Sequence, residues 1–243
     1  NLYGLKSFTE GLHGNDLSFG TEISYPNDFL NFRLGYLQIG EDFTPGLGFI
    51  PRRNIRNFYG GAGIGPRPKN SPIMQIKSGF RFAFISDLNS GGKQTSQLDF
   101  NLAEIIFLSG DIISLSSQYQ FEALEKDFNI FTDFIIPADK YYFWRHSFQL
   151  TSAKRRNFWA ATRVGQGSFY SGKRSDWLMQ IGYKVIVPLF IGMESDRKWV
   201  DLPDGNFVTQ IYRLNLNFLF SPNLSWYNYA QFENQTETIG WQS

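Results

Sequence analysis

The chain has 243 residues, with 23 lysines and arginines against 22 aspartates and glutamates and a formal net charge of +1. This near balance does not indicate a nucleic acid partner, and we expect none. The absence of cysteine and the presence of only two histidines exclude disulfides and thiolate catalysis, and no metal or cofactor is expected. The aromatic fraction of 18% is high, and membrane β-proteins concentrate aromatic residues at their lipid face and interfaces.

Apolar and polar residues alternate from the start of the chain. The segments 1 to 8 and 17 to 25 are predicted to be strands. In the second of them Ile23 lies on one face and Glu22 on the other, because successive side chains of a strand point to opposite faces. A third predicted strand begins at Leu30. Short polar or glycine- and proline-rich turns separate such segments, which is typical of consecutive β-hairpins.

The alternation lapses between residues 41 and 73, and we predict one long connection there, because this stretch exceeds a hairpin turn. Such a connection either faces the exterior or folds into a barrel lumen and constricts it, where its charges set selectivity. Its glycine-rich segment 60 to 65 lacks the lysine and hydroxyl residue that follow in a phosphate-binding loop. These glycines are therefore predicted to form tight turns.

Basic residues of this connection are the candidate ligand contacts, since their side chains bind carboxylates, phosphates and sugar hydroxyls. The candidates are Arg52, Arg53, Arg56, Arg67 and Lys69. In the alternative interpretation, these residues pair with acidic lumen residues such as Glu22 or Asp99 and only hold the connection in place.

From Met74 the alternation resumes and continues almost to the last residue. Further strands are predicted at 74–84, 95–108, 113–122, 141–153, 157–170, 175–187, 189–199, 206–220 and 224–234, and another begins at Thr238. Residues 125 to 140 are predicted to form an irregular connection. The chain thus has roughly 12 to 14 predicted strands, each expected to supply the about 9 to 11 residues that a tilted membrane strand requires.

Alternation alone does not say which face points outward, because a soluble ligand-carrying barrel buries its apolar face and a membrane barrel exposes it. An apolar lumen enclosed by about a dozen strands would be wide enough to fill with water. The prediction is therefore an all-β fold, an antiparallel up-and-down transmembrane β-barrel, as a single domain over residues 1–243. We expect this domain to be truncated at both ends and part of a larger barrel. A soluble two-sheet sandwich and other β-folds are the alternatives.

Catalytic signals are poor, and we expect no enzymatic activity. His146 lies on a predicted strand next to Ser147, but adjacent strand residues point to opposite faces, so this pair cannot act as base and nucleophile. The carboxylates of Glu194, Asp196 and Asp201 are interpreted as polar lumen residues rather than cation ligands. No catalytic or metal-ligating set is assigned.

Three segments carry a family resemblance that extends over most of the chain: DFTPGLGFIPR (residues 42–52), GSFYSGKRSDW (167–177) and LPDGNFVTQIYRLNLNFLFSPNLSWYNYAQFEN (202–234). In these the sequence resembles the C-terminal outer-membrane β-barrel domain of an uncharacterised bacterial family. Members of that family carry an N-terminal module similar to family-nine carbohydrate-binding domains. The resemblance implies a Gram-negative outer-membrane location and a connection with carbohydrate.

The leading functional hypothesis is a non-enzymatic outer-membrane barrel that acts as a channel or surface platform for saccharide-like solutes. The expected partners are outer-membrane lipid, a saccharide-like ligand, and the protein's own N-terminal module and remaining barrel strands. The first alternative is a structural barrel with a plugged lumen that anchors a periplasmic binding module. The remote alternative is an outer-membrane hydrolase.

Overall fold

The computed structural model describes residues 1–7, 14–46, 49–131 and 134–243. Its described residues form β-strands and no helix. The strands are β1 (Leu2–Lys6), β2 (Leu17–Tyr25), β3 (Leu30–Ile39), β4 (Ile55–Ile64), β5 (Ile73–Asp87), β6 (Lys93–Phe107), β7 (Ile112–Ala123), β8 (Phe128–Phe131), β9 (Phe134–Ile136), β10 (Lys140–Thr151), β11 (Phe158–Phe169), β12 (Gly172–Ile186), β13 (Leu189–Leu202), β14 (Gly205–Ser221), β15 (Leu224–Glu233) and β16 (Thr238–Gln242).

Fourteen of these strands form one antiparallel up-and-down sheet. Its order follows the chain from β1 to β7 and from β10 to β16, while β8 and β9 pair with each other as a separate hairpin. The prediction of an all-β meander with this number of strands is therefore confirmed. The sheet is open, since β1 and β16 are its two edges among the described residues. No described helix is long and apolar enough to cross a membrane.

The chain divides into two compact units, and the first comprises residues 1–66, 77–100 and 118–143. Across its strands β3, β4 and β5 the register aligns Tyr36 with Phe58 and Phe58 with Phe84. These aromatic residues define the apolar face of the first unit. The register likewise aligns Glu22 of β2 with Gly35, on the opposite, polar face.

The second compact unit comprises residues 67–76, 101–117 and 144–243. Its register aligns Met193 of β13 with Leu214 of β14 on the apolar face. On the polar face, the neighbouring positions Glu194 and Arg213 are partners in the same two strands. Both units thus keep the period-two segregation of side chains that the sequence predicts.

The apolar faces are open, whereas water-soluble proteins bury their large apolar side chains. On these faces, Ile23 is 66% exposed and Met193 is 60% exposed. On the polar faces exposure varies, from 19% for the side chains of Glu22 and Glu194 to 59% for that of Arg33. A two-sheet sandwich would pack the apolar rows against each other, whereas here they are open.

The predicted single connection over residues 41–73 is wrong, because strand β4 (Ile55–Ile64) lies within it. This strand pairs with β3 on one side and with β5 on the other. The predicted tight turns at residues 60–65 are also wrong, since Gly60, Gly61 and Gly63 are strand residues without a positive φ. The absence of a side chain at Gly61 instead permits close strand approach, because a Cβ there would overlap the carbonyl oxygen of Phe80.

The described residues of the connection 40–54, which precedes β4, pack against the polar side of the first unit through Phe43 and Ile50. Phe43 forms a small buried apolar cluster with Ile39 and Ile55, and Leu37 and Ile85 pack against it. The stretch 125–140 differs from its prediction, because it contains the short β8–β9 hairpin.

Aromatic rings of three hairpins lie directly over glycines of the partner strand. In each case a Cβ on the glycine would overlap the ring, and the two residues are register partners. The pairs are Tyr3 with Gly20, Tyr59 with Gly35 and Trp159 with Gly182. Such rings cover the exposed backbone of a strand glycine and fix strand register.

Candidate functional site on the polar face

The polar face of the second unit carries a set of four charged residues, the arginine cluster: Arg145 on β10, Arg163 on β11, and Arg174 and Asp176 on β12. The register aligns Arg145 with Gly167, and Gly167 in turn with Arg174. Because Gly167 has no side chain, the Arg145 side chain reaches across β11 and forms an ion pair with Asp176. The absence of a side chain at Gly167 therefore allows residues from three strands to form the cluster.

The arginine cluster carries more positive than negative charge. Asp176 serves both Arg145 and Arg174, and its Oδ1 lies 2.9 Å from Arg174 Nε. Arg163 is close enough to both arginines to repel them electrostatically. Three guanidinium groups thus accompany one carboxylate, and the nearby Asp196 is itself bound by Lys198 at 3.2 Å.

Burial strengthens the electrostatic interactions of this cluster. The side chains of Arg145, Arg174 and Asp176 are 18%, 22% and 16% exposed. Arg174 Nε is engaged with Asp176 Oδ1, whereas, within the described part of the chain, the buried Nε of Arg145 makes no hydrogen bond. The cluster carries net positive charge, and a planar guanidinium suits a carboxylate or phosphate.

A second polar network crosses four strands of the same unit. Glu194 on β13 accepts a hydrogen bond from Gln180 Nε2 at 2.6 Å and forms an ion pair with Arg213 on β14. Arg213 Nε donates to Gln231 Oε1 at 3.0 Å, and the Tyr229 hydroxyl donates to the same oxygen at 2.6 Å. This row pairs one acid with one arginine and otherwise consists of amide and hydroxyl groups, which are the partners of sugar hydroxyls.

In the first unit the polar-face charges are balanced. Arg33 binds Glu22 through two nitrogens, with Nε at 2.7 Å and the second guanidinium nitrogen at 2.5 Å. The Tyr59 hydroxyl donates to the same Glu22 oxygen at 3.0 Å, and the Arg33 guanidinium stacks over the Tyr59 ring at 5.1 Å. All three contacts converge on one Glu22 oxygen and bind this carboxylate to Arg33 and Tyr59, so we assign it a structural role.

Arg52 is the predicted site residue with the clearest contacts. Its guanidinium donates to the Thr95 hydroxyl at 2.6 Å and to Glu122 Oε1 at 2.9 Å. Both partners lie on β6 and β7, so Arg52 fastens the connection 40–54 to the strands of the first unit. This contact follows the interpretation in which a basic residue holds the connection in place, although the acid is Glu122 rather than Glu22 or Asp99.

The other predicted site residues do not join Arg52 in one cluster within either compact unit. Arg53 is exposed in the connection 40–54, and Arg56 is exposed on β4 at an apolar-face position opposite Gln38. Arg67 and Lys69 are exposed in residues 65–72, which follow β4, and belong to the second unit. The strand within the predicted connection separates these basic residues.

The remaining sequence candidates have structural contacts. The Ser147 and Ser116 hydroxyls lie 2.7 Å apart, whereas the His146 ring lies 6.0 Å from the Trp144 ring centroid. Glu194 and Asp196 are ion-paired as described above. Over the residues that the structure describes, no group of three or more histidines, cysteines or carboxylates is placed to hold a metal ion.

The arginine cluster was missed from sequence because its members lie on three different strands. The available signal was weak: Arg163 is followed on the same face by Gly165 and Gly167, two positions without a side chain on a charged strand face.

Comparison with models of known protein families finds no match for this chain. Comparisons with curated proteins and with solved structures find none either.

Proposed function

We propose that the protein belongs to the bacterial outer membrane and that its sheet forms part of a transmembrane β-barrel. The observation that carries this proposal is the open apolar face of each unit, on which Ile23 and Met193 are exposed, opposite a polar face on which Glu22 and Glu194 form ion pairs. Hydrocarbon solvates an open apolar face, and a polar lumen accommodates the charged one. Closure of the open sheet is required by this proposal, because unpaired strand edges are unstable in lipid.

Within this barrel, we propose a non-enzymatic solute path for saccharide-like molecules that carry a carboxylate or phosphate. The net positive arginine cluster attracts the anionic group, and bidentate guanidinium contacts orient it. The adjacent row from Gln180 to Tyr229 offers amide and hydroxyl partners for sugar hydroxyls. The carbohydrate connection also rests on the family resemblance, which remains a prediction.

The connection 40–54 supports a constriction of this path. Its apolar cluster around Phe43 and its Arg52–Glu122 ion pair hold it against the polar side of the first unit. A segment fixed in this way narrows a lumen and selects solutes by size.

Planar bilayers test this function. The protein should give stepwise conductance that is anion-selective, and a monomeric uronic acid should reduce the current. Arg163→Gln removes one positive charge of the arginine cluster while leaving the Arg145–Asp176 pair intact. We expect it to move the reversal potential toward cations and to weaken uronate block roughly tenfold, the effect of about 1.4 kcal/mol. Arg155→Gln, an equal charge change in the exposed β10–β11 turn, is the matched control.

The outcomes separate the two claims. A protein that fails to float with lipid vesicles contradicts the membrane proposal. A protein that floats but shows no conductance contradicts the solute path and leaves the membrane location standing. Equal effects of Arg163→Gln and Arg155→Gln would remove the arginine cluster as the anion contact.

The alternative function is a plugged barrel that anchors a periplasmic binding module. The anchoring of the connection 40–54 by Phe43 and Arg52 favours it. In that case bilayers containing the wild-type protein stay silent, and Arg52→Gln, which releases the connection, produces current.

A further inference from the structure

Arg197 of β13 places a positive charge on the apolar face of the second compact unit. The register pairs Arg197 with Trp177 of β12 and with Gln210 of β14, and register partners lie on the same side of a sheet. Met193, four residues earlier on β13, lies on that face too and is 60% exposed. Gln210 Nε2 donates to the Ser195 hydroxyl at 3.3 Å, so these polar neighbours of Arg197 are neutral. A charge on a lipid-exposed face is costly and calls for a partner.

The sheet does not supply that partner. Among the described residues, no carboxylate forms an ion pair with Arg197. Its guanidinium carbon instead lies 4.8 Å from the ring centroid of Trp199, the next residue of β13 on the same face. Lys198, adjacent in sequence but on the polar face, is paired with Asp196 at 3.2 Å. The charge of Arg197 is therefore left for an anion that approaches the apolar face from outside, between Trp177 and Trp199.

The row of Arg197 divides this face into a polar end and an apolar stretch. Towards the β13–β14 turn, most positions of the face on β12, β13 and β14 are polar or charged, among them Lys173, Ser175, Asp201 and Asn206. Away from that turn, the positions of β14 on this face are aromatic or aliphatic: Tyr212, Leu214, Leu216, Phe218 and Phe220. Arg197 thus lies at the border between the two.

The length of the apolar stretch matches a hydrocarbon layer. Phe220 lies ten residues beyond Gln210, the register partner of Arg197. Ten residues of an antiparallel strand span about 34 Å, which at a tilt of about 40° gives a height of about 26 Å. Transmembrane barrels expose an apolar band about 25 Å tall, with aromatic residues at both borders. At the far border Trp226 is 46% exposed and stacks on Phe218, with the ring centroids 5.6 Å apart.

We infer that Arg197 binds the phosphate of a membrane phospholipid at the border between hydrocarbon and headgroups, with Trp177 and Trp199 against the glycerol and the first acyl carbons. The inference rests on the proposed membrane location and adds the depth at which the sheet lies in the bilayer. Charge complementarity selects the occupant, because the phosphate of the headgroups is the anion at this level, and an arginine stem lies along apolar surface while its charged end reaches polar surroundings. A solute in the lumen contacts the opposite face and does not reach Arg197.

Native mass spectrometry of the detergent-solubilised protein tests the phosphate contact by lipid retention. Phosphatidylglycerol and monogalactosyldiacylglycerol with identical acyl chains are added at equal concentration, because they share the diacylglycerol and differ in the phosphate. We expect phosphatidylglycerol to be retained preferentially, and Arg197→Gln should reduce this preference about fivefold, the equivalent of about 1 kcal/mol for one cation near an anionic headgroup. Lys198→Gln makes an equal charge change at the adjacent position on the opposite face and should keep the preference.

Three outcomes of this experiment overturn the contact. The first is equal retention of the two lipids by the wild type, and the second is an equal effect of Arg197→Gln and Lys198→Gln. The third is loss of the bound lipid in excess inorganic phosphate, which would assign Arg197 to a free anion. If Arg197→Gln does not fold, Arg197→Met makes the same charge change with an unbranched side chain that suits an apolar face.

Spin labels test the depth with Arg197 unchanged. The chain has no cysteine, so single-cysteine variants can be labelled selectively and placed in lipid vesicles. A label at Met193→Cys should be accessible to dissolved oxygen and protected from a water-soluble nickel chelate, whereas a label at Ser175→Cys should show the reverse. A protein that floats with vesicles but has both labels in hydrocarbon, or both in water, overturns this inference and leaves the membrane proposal intact. Failure to float removes both.

Discussion

In the first compact unit Arg33 and Arg81 each have a carboxylate of their own, whereas in the second unit Arg145 and Arg174 share Asp176. The Arg33 and Arg81 side chains are 59% and 81% exposed, whereas those of Arg145 and Arg174 are only 18% and 22% exposed. Exposed pairs contribute little to stability. A covered cluster with excess positive charge is costly unless a further anion or water stabilises that charge. We therefore propose the anion contact in the second unit rather than in the first.

Glycines lie beneath arginines in both units, but with different results. A Cβ on Gly61 would come within 3.1 Å of the Arg81 side chain, and a Cβ on Gly167 within 2.8 Å of the Arg145 side chain. In the first case the arginine stays exposed, and its nitrogen is 3.7 Å from Asp99. In the second case the arginine crosses the glycine strand and meets Asp176. The two arginines differ in exposure because Asp176 and Asp99 lie at different positions relative to them, and not because Gly167 and Gly61 leave different amounts of space.

The largest effect is expected from removing the shared carboxylate. Asp176→Asn leaves two covered guanidinium groups without their counter-ion and should lower the free energy of unfolding by about 3 kcal/mol. Glu22→Gln makes the same chemical change beside the more exposed Arg33 and should lower the free energy of unfolding by much less. Urea unfolding in detergent micelles measures both. Equal losses in the two variants would contradict the contrast drawn between the units.

The next effect concerns Gly167. A Cβ at this position would overlap the carbonyl oxygen of Trp144, so Gly167→Ala should destabilise the protein by about 1–3 kcal/mol. It should also weaken anion block in bilayers, because Arg145 must shift. Gly240→Ala has open space around the new Cβ and should stay within about 0.5 kcal/mol of the wild type. A neutral Gly167→Ala variant would mean that β10 and β11 can separate without cost.

Arg52→Gln should have a smaller global effect, at about 1 kcal/mol or less, because the Arg52 side chain is 41% exposed. Its local effect should be clear, since the Glu122 and Thr95 contacts of the connection 40–54 are lost. Amide hydrogen exchange over residues 49–54 should become faster, while exchange over β12 and β13 remains unchanged. Unchanged exchange over residues 49–54 would show that the apolar cluster around Phe43 alone holds the connection.

The smallest effect is a pH dependence at the β6–β7 turn, where Asp111 accepts hydrogen bonds from Arg156 and Ala153 of the β10–β11 turn. The guanidinium of Arg156, the Ser109 hydroxyl and the Ala153 amide hold the pKa of Asp111 below its usual range. A carboxyl with a lowered pKa stabilises the folded state above its unfolded pKa of about 3.9. That stabilisation is lost as pH falls toward the lower folded value. The midpoint temperature of wild type should therefore fall more steeply below pH 4 than that of Asp111→Asn. Asp204→Asn, in the exposed β13–β14 turn, should follow the wild type.

Strong alternation made most of the sheet predictable. The predicted strand 17–25 coincides with β2, and the segment from Leu30 became β3. Strand β4 was missed because Gly60, Gly61 and Gly63 have no side chains that could display a period of two. Its hydrogen bonds to β3 and β5 still make it a regular strand.

The candidate site was predictable only in part. Arg52 was singled out from its position in a long connection, and its contact with Glu122 depends on how the chain returns through β7. The arginine cluster arises from register, since only the pairing of β10, β11 and β12 brings Arg145 to Asp176. A sequence read one strand at a time contains no information on that alignment.

The rings over glycines have a consequence for how the strands come together. Shifting β11 by one residue against β12 would put Trp159 opposite Ile181 or Tyr183 instead of Gly182, and the ring would collide with a side chain. Tyr3 and Tyr59 impose the same condition on the hairpins β1–β2 and β3–β4. Each hairpin therefore disfavours a wrong register as it forms, before strands distant in sequence pair. A one-residue slip that would move apolar side chains to the polar face is thus prevented locally.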